Sequence, residues 1–388
     1  MALPIVFAFL FISFTLAQST TTFNVRSYGA VADGRTDNQK AFVRAWTDAC
    51  SLNGASIVYV PRGVYMLGPV VFTGPCKGPI MFLMSGVLKA PSGPTDATTW
   101  INFRSVNKML MKGGGTLDGQ GSSAWPYNKC DQNSNCKQLP ISLKLDSVSN
   151  SRFESFRSVN SKQTHISMFG CENVNITNVE IYAPADSPNT DGIKMGSSTG
   201  IRITNSKIST GDDCVAILSG SSGIDVSNVV CGPGHGISIG SIGKYPGEKN
   251  VDGVSVRNCT LRGTDNGVRI KSWESPNAAV VSNVLYQDIF MDKVQNPIII
   301  DQTYCPYASC NQQMASHTQI KDVTYRNIWG SSSSEVAVDM ECSKKFQCKN
   351  LVMTDINLAS HKPGVSLKSS CSNVIGRVFG RQNPRPCF

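Results

Sequence analysis

The sequence predicts an all-β solenoid, a parallel β-helix with a short capping helix at its N-terminal end, and three observations carry that prediction. A short unit of strand and turn recurs seven times after position 174, closing at Asn178, Asn205, Asn228, Asn258, Asp288, Asn327 and Asp355. The intervals of 27, 23, 30, 30, 39 and 28 residues are those of one solenoid coil. The intervening segments are β-branched and punctuated by Gly, as short strands are. Four polar clusters recur at nearly the same interval: Asn189-Thr190-Asp191, Gly211-Asp212-Asp213, Gly234-His235-Gly236 and Arg269-Ile270-Lys271. If each interval is one coil, the clusters stack on one face and the repeated Asn or Asp stacks at a turn, where it tolerates left-handed geometry.

Taken in order, residues 1–17 are an uncharged apolar run ending in small residues, too short for a membrane span, and read as a secretory signal cleaved after Ala17. Residues 18–388 then form one β-helical domain, since no Pro/Ser-rich linker divides them. Thr21 to Val25 is β-prone. Thr36 and Gln39 have capping-box spacing, and Ala41, Phe42, Ala45, Trp46 and Ala49 follow at helical spacing. A helix there would cover the open end of the solenoid, which otherwise exposes apolar surface and strand edges. Two longer intervals hold loops: residues 118–138, with Trp125, Cys130 and Cys136, and the stretch after Asp288, with Tyr304 and Cys305. Loops beside a groove decide whether its ends are open.

Fourteen cysteines in a secreted chain favour disulfides over metal sites. The spacings suggest Cys50/Cys76, Cys130/Cys136, Cys214/Cys231, Cys305/Cys310, Cys342/Cys348 and Cys371/Cys387, with Cys171 and Cys259 as buried thiols. No paired CxxC pattern calls for zinc, and neither a metal nor a cofactor is expected. The net charge of +9 draws the protein to polyanions. Lys and Arg are scattered without interleaved aromatics, so nucleic acid comes last among nucleic acid, acidic polysaccharide and anionic lipid. The expectation is an acidic polysaccharide partner, with no nucleic acid or membrane, and a monomer.

The clusters carry the chemistry. Arg269 and Lys271 alternate on one strand and so project together, a pair suited to carboxylates. Asp212 and Asp213 are adjacent, and Gly211 permits a bulge or tight turn that brings both outward beside Asp191 of the previous coil. Crowded carboxylates raise the proton affinity of at least one, leaving an acid beside ionised partners. Glycoside hydrolysis needs that division: one protonated carboxyl for the leaving oxygen, another carboxylate to activate water or attack. Alone, the Asp and His clusters read as turns and the Arg269/Lys271 pair as a solvated strand face; their common phase, with His235 included, makes them a site.

Ser187-Pro188-Asn189-Thr190-Asp191-Gly192, Thr210-Gly211-Asp212-Asp213-Cys214, the segment from Gly232 to Ser238 and Arg269-Ile270-Lys271 resemble the four signatures of the polygalacturonases, glycoside hydrolase family 28. That resemblance implies a right-handed parallel β-helix and metal-free hydrolysis of pectic polygalacturonate with inversion. It implies Asp212 as general acid, Asp191 and Asp213 as activators of water, and His235 as support for the acid. Asn189, Arg269, Lys271 and Tyr304 would bind substrate. Stacking on adjacent coils suggests a shorter carboxyl separation than the roughly 6.5–9.5 Å usual for inversion. Trp125-Pro126-Tyr127-Asn128 and the segment from Gly240 to Tyr245 look most like pollen-type plant exopolygalacturonases, which release galacturonate from the non-reducing end at the cell wall. Lys194 stands where many plant relatives have His, and is not expected to touch the acid or the base. An endo-acting hydrolase, a β-helical pectate lyase and a non-catalytic pectin-binding wall protein are the alternatives. Asn175 and Asn258 begin glycosylation sequons, with Asn175 preferred because Asn258 falls at a repeated, buried turn.

Overall fold

The computed structural model describes residues 20–128, 137–306, 310 and 314–388. The expected signal peptide and the Cys130/Cys136 pair lie outside the described residues. The chain forms a right-handed parallel β-helix whose strands fall into an eleven-stranded sheet and a twenty-stranded assembly. The eleven-stranded sheet adds one strand per coil in chain order, from Val70–Thr73 through Ile193–Gly196, Val215–Ile217, Ile237–Ile242 and Asn266–Ser272 to Lys368–Ser372.

Parallel register turns each strand position into a column along the helix axis. Ile166, Ile193, Val215, Ile237, Val268, Ile298 and Val338 are register partners facing inward, all buried. Burying each such side chain contributes about 1.5–3 kcal/mol. The next inward column is Met168, Met195, Ile217, Ile239, Ile270, Ile300 and Met340. Between them, facing out, run Ser167, Lys194, Ala216, Ser238, Arg269, Ile299 and Asp339.

All seven closing residues of the repeat adopt left-handed backbone, with φ from 49° at Asn327 to 55° at Asn228. The amide of Asn258 donates to Asn228 Oδ1 at 2.6 Å and that of Asn228 to Asn205 Oδ1 at 3.0 Å, so each coil satisfies the next. A second ladder, absent from the sequence reading, runs five residues earlier through Asn150, Asn173, Asn283, Asp322 and Asn350, also left-handed. Glycines at 200, 223 and 253 interrupt it, which hid the period. Asn258 is exposed rather than buried, but its amide nitrogen is committed to the ladder.

The N-terminal helix is Gln39–Ser51, and it buries Phe42, Ala45 and Trp46 on the first coils. Trp46 packs on Phe72 and Phe103 with ring centroids 5.1 and 5.4 Å apart. The capping box does not form. Thr36 bonds Asp33 instead, and Asp37 Oδ1 accepts from the Gln39 N–H because that carboxylate also ties down Gly68 N–H. The remaining five disulfides form as spaced, Cys50–Cys76, Cys214–Cys231, Cys305–Cys310, Cys342–Cys348 and Cys371–Cys387, and Cys171 and Cys259 are buried thiols. Disulfides in this number belong to an oxidising, extracellular setting.

Candidate active site

The site lies where chain enters four successive strands of the eleven-stranded sheet. Asp191 and Asp213 each precede their strand by two residues, and Ile193 and Val215 are register partners, so the two carboxylates occupy one column on consecutive coils. Coils are about 4.8 Å apart. Gly211 serves this arrangement by close approach, not by an unusual φ: a Cβ there would meet Ser187 O at 2.1 Å. Gly236 is needed for both reasons, with φ of 87° and a Cβ position 2.1 Å from Asn266 O.

Asp213 is 2 % exposed and saturated with donors. Ser238 Oγ and Arg269 Nη2 donate to its Oδ1 at 2.7 and 2.8 Å, and Lys271 Nζ to its Oδ2 at 2.9 Å. Burial alone would raise this carboxyl, but Lys271 and Arg269 outweigh it and hold Asp213 far below the usual carboxylate range. The two cations expected to bind substrate are thus already committed to Asp213. Neither is free.

Asp212 makes a different environment. Its Oδ1 accepts the Asp213 N–H at 2.8 Å and lies 3.2 Å from His235 Nδ1. The His235 backbone N–H also donates to the Asp212 carbonyl at 2.8 Å, so the two residues are joined through backbone and side chain alike. Burial pushes the Asp212 carboxyl up, but the bond to His235 prevails and its pKa is lowered; the same bond raises that of His235. Both shifts favour the ion pair of carboxylate and imidazolium over the neutral pair. His235 Nε2 lies 3.4 Å from Asp265 Oδ2, a second anion that favours the imidazolium.

One carboxyl is raised, that of Asp191, and burial is the first cause with crowding a lesser one. Burial pushes it up to about 6, with Asp212 and Asp213 adding to the rise and Lys194 opposing it. Thr164 Oγ1 donates to Asp191 Oδ2 at 3.1 Å, and Lys194 Nζ to the same oxygen at 3.1 Å. This overturns the expectation that Lys194 stays clear of acid and base. A strand reversal of side is completed within three residues, so an outward Lys194 curls back over the turn that carries Asp191.

The flanks are built from both long loops. Asn189, left-handed with φ of 55°, accepts at Oδ1 from Asn128 Nδ2 at 3.2 Å. Trp125 Nε1 donates to Ser161 O at 3.1 Å, which ties the described part of this loop to the coil preceding Asp191. On the other flank the Tyr304 ring centroid lies 5.1 Å from Lys271 Nζ and 5.5 Å from the Trp273 ring. Asn189, Asp191, Asp212, Asp213, His235, Arg269, Lys271 and Tyr304 thus fall in one continuous strip. Sequence reasoning gave no role to Thr164, Ser238 and Asp265, and denied one to Lys194. Ser238 was within reach, since it is Arg269's register partner; Asp265 was not, because it meets His235 through a local offset, Gly234 pairing with Thr264.

Oxygen and nitrogen atoms of Asp212, Asp213 and His235 come within 4.8 Å of one another. Both Asp213 oxygens already serve two cations, and those cations would repel a divalent ion, so the donor set suits an anionic ligand better than a metal.

The family model described as glycosyl hydrolases family 28 matches residues 50–379. An exopolygalacturonase of Platanus acerifolia is 43% identical over 370 residues, covering 95% of this chain and 98% of its own. An exopolygalacturonase of Arabidopsis thaliana is 42% identical over 377 residues, covering 96% and 84%. Among solved structures, a hyperthermoactive exopolygalacturonase from Thermotoga maritima superposes with a TM-score of 0.74 at 22% identity, over 92% of this chain and 91% of that one, a likeness of fold.

Proposed function

Because the chain belongs to glycosyl hydrolases family 28, we propose that it is an extracellular exopolygalacturonase, hydrolysing α-1,4-galacturonosyl bonds of cell-wall pectin from the non-reducing end with inversion. The observation that carries the reading is the division of labour in the strip: Asp212 bonded to His235, beside two stacked carboxylates of which Asp213 is saturated by Arg269 and Lys271.

In this mechanism the sugar carboxylate enters the field of Arg269 and Lys271, with Tyr304 against the ring. Asp212 receives the pair's proton from His235 and gives it to the glycosidic oxygen as the C–O bond breaks. Water attacks the anomeric carbon from the opposite face and gives up one proton to the stacked pair, where Asp191 is the acceptor and the ionised Asp213 beside it orients the water. Moving a proton from a tethered imidazole to Asp212 as negative charge develops on the leaving oxygen reconciles a low resting pKa with an acid role. The described part of the 118–138 loop supports the exo mode, since Trp125 is bonded to Ser161 and Asn128 to Asn189, which sets these residues beside the strip. Two curated relatives of high coverage named as exopolygalacturonases support it as well.

The test is product analysis over time on de-esterified polygalacturonate, with 1H NMR of the first-formed anomer. Monomer from the start, released as the inverted anomer, is expected. A ladder of oligomers with a rapid fall in viscosity would make the enzyme endo-acting; a chelator-sensitive, ultraviolet-absorbing product would make it a lyase; no product would leave a binding protein.

A further inference from the structure

The two carboxylates assigned to water activation are held in unequal ways. Asp213 faces three donors from the two following coils: Ser238, Arg269 and Lys271. Asp191 faces the neutral Thr164 hydroxyl from the preceding coil, the carboxylates of Asp212 and Asp213 from the next, and Lys194 from its own strand. The outward column explains why nothing else reaches it. Lys194 is followed by Ala216, and only then come Ser238 and Arg269, which are spent on Asp213. Among the described residues, Lys194 is the one cation bonded to Asp191.

Two carboxylates one coil apart repel, and the one with weaker compensation takes the proton. A protonated Asp191 cannot accept a proton from water. We propose that Lys194 is a positioning residue that keeps Asp191 ionised and oriented, so that the stacked pair can act on water as two carboxylates. This rests on the assignment of Asp191 as a base above. Asp191 stands at about 6 with Lys194 in place, so loss of that charge moves it further up.

The experiment compares wild type, Lys194→Met and Lys194→Arg on polygalacturonate, with kcat and KM measured across pH, and follows the Asp191 carboxyl by 13C NMR, assigned by its disappearance in Asp191→Asn. In Lys194→Met the acid limb of kcat/KM is expected to move up by about one unit or more. The Asp191 carboxyl should titrate higher by the same amount, and Lys194→Arg should restore both. An unmoved Asp191 titration overturns the inference whatever the activity does. A raised Asp191 titration with the alkaline limb moved instead leaves Lys194 in control of Asp191 but makes Asp191 the acid, which overturns its assignment as base. A rise in KM with neither limb moved makes Lys194 a substrate contact and overturns the inference. A thermal melt of each variant shows whether lost activity is lost fold.

Discussion

Two columns of polar side chains climb this solenoid, and they are built by the same register. One is the amide ladder at the left-handed turns, where Asn205, Asn228 and Asn258 repeat the same neutral residue and Asn258 donates to Asn228 and Asn228 to Asn205. The other is the strip of Asp191, Asp212, Asp213 and His235, where charged groups stand one coil apart. Identical amides satisfy one another because each has both a donor and an acceptor. Identical carboxylates do not, so every one of them needs a cation or a proton. Stacking therefore yields a scaffold in one column and a set of competing protonation equilibria in the other.

The comparison predicts where substitutions act. Asp212→Asn should lower kcat by about 10²–10⁴-fold, the contribution of a positioned proton donor, with little change in melting temperature. Kinetics and a melt on the same preparation would check this, and a merely structural Asp212 would show the reverse. Arg269→Met leaves the buried Asp213 charge short of a partner and should cost about 3 kcal/mol of stability besides activity; denaturant unfolding reads it. Asn258→Ala in the ladder should cost only about 1 kcal/mol and leave kcat unchanged.

Asp191 sharpens the contrast through pH. Its folded pKa is raised, to about 6. The stability this group contributes is therefore complete below its ordinary unfolded value near 4 and is lost as pH rises through about 6. Asp191→Asn, inactive, should accordingly melt above wild type at pH 8 and converge with it near pH 4. If the gap fails to open with pH, Asp191 is not held against its charge. The smallest effect is expected at Asp265→Asn: His235 loses an anion at 3.4 Å, its pKa falls, and the alkaline limb of kcat/KM moves to lower pH by a fraction of a unit.

What the sequence determined by itself is everything that depends on period. Seven turn residues found by interval are all left-handed, the short-range cysteine pairs within the described residues close as spaced, and the eight site residues share one strip. A coil's length encodes which side of the wall a residue occupies, so a regular interval is already a statement about neighbours one coil away. Only the tertiary structure decided which donor serves which carboxylate. Lys194 curls back to Asp191, Arg269 reaches past Ser238 to Asp213, and a local offset sets Asp265 beside His235. Long side chains cross between columns by an amount that the turn geometry sets, and whether a carboxyl keeps its proton depends on burial summed over three coils. Neither quantity has a period, and so neither is written in the spacing of the residues.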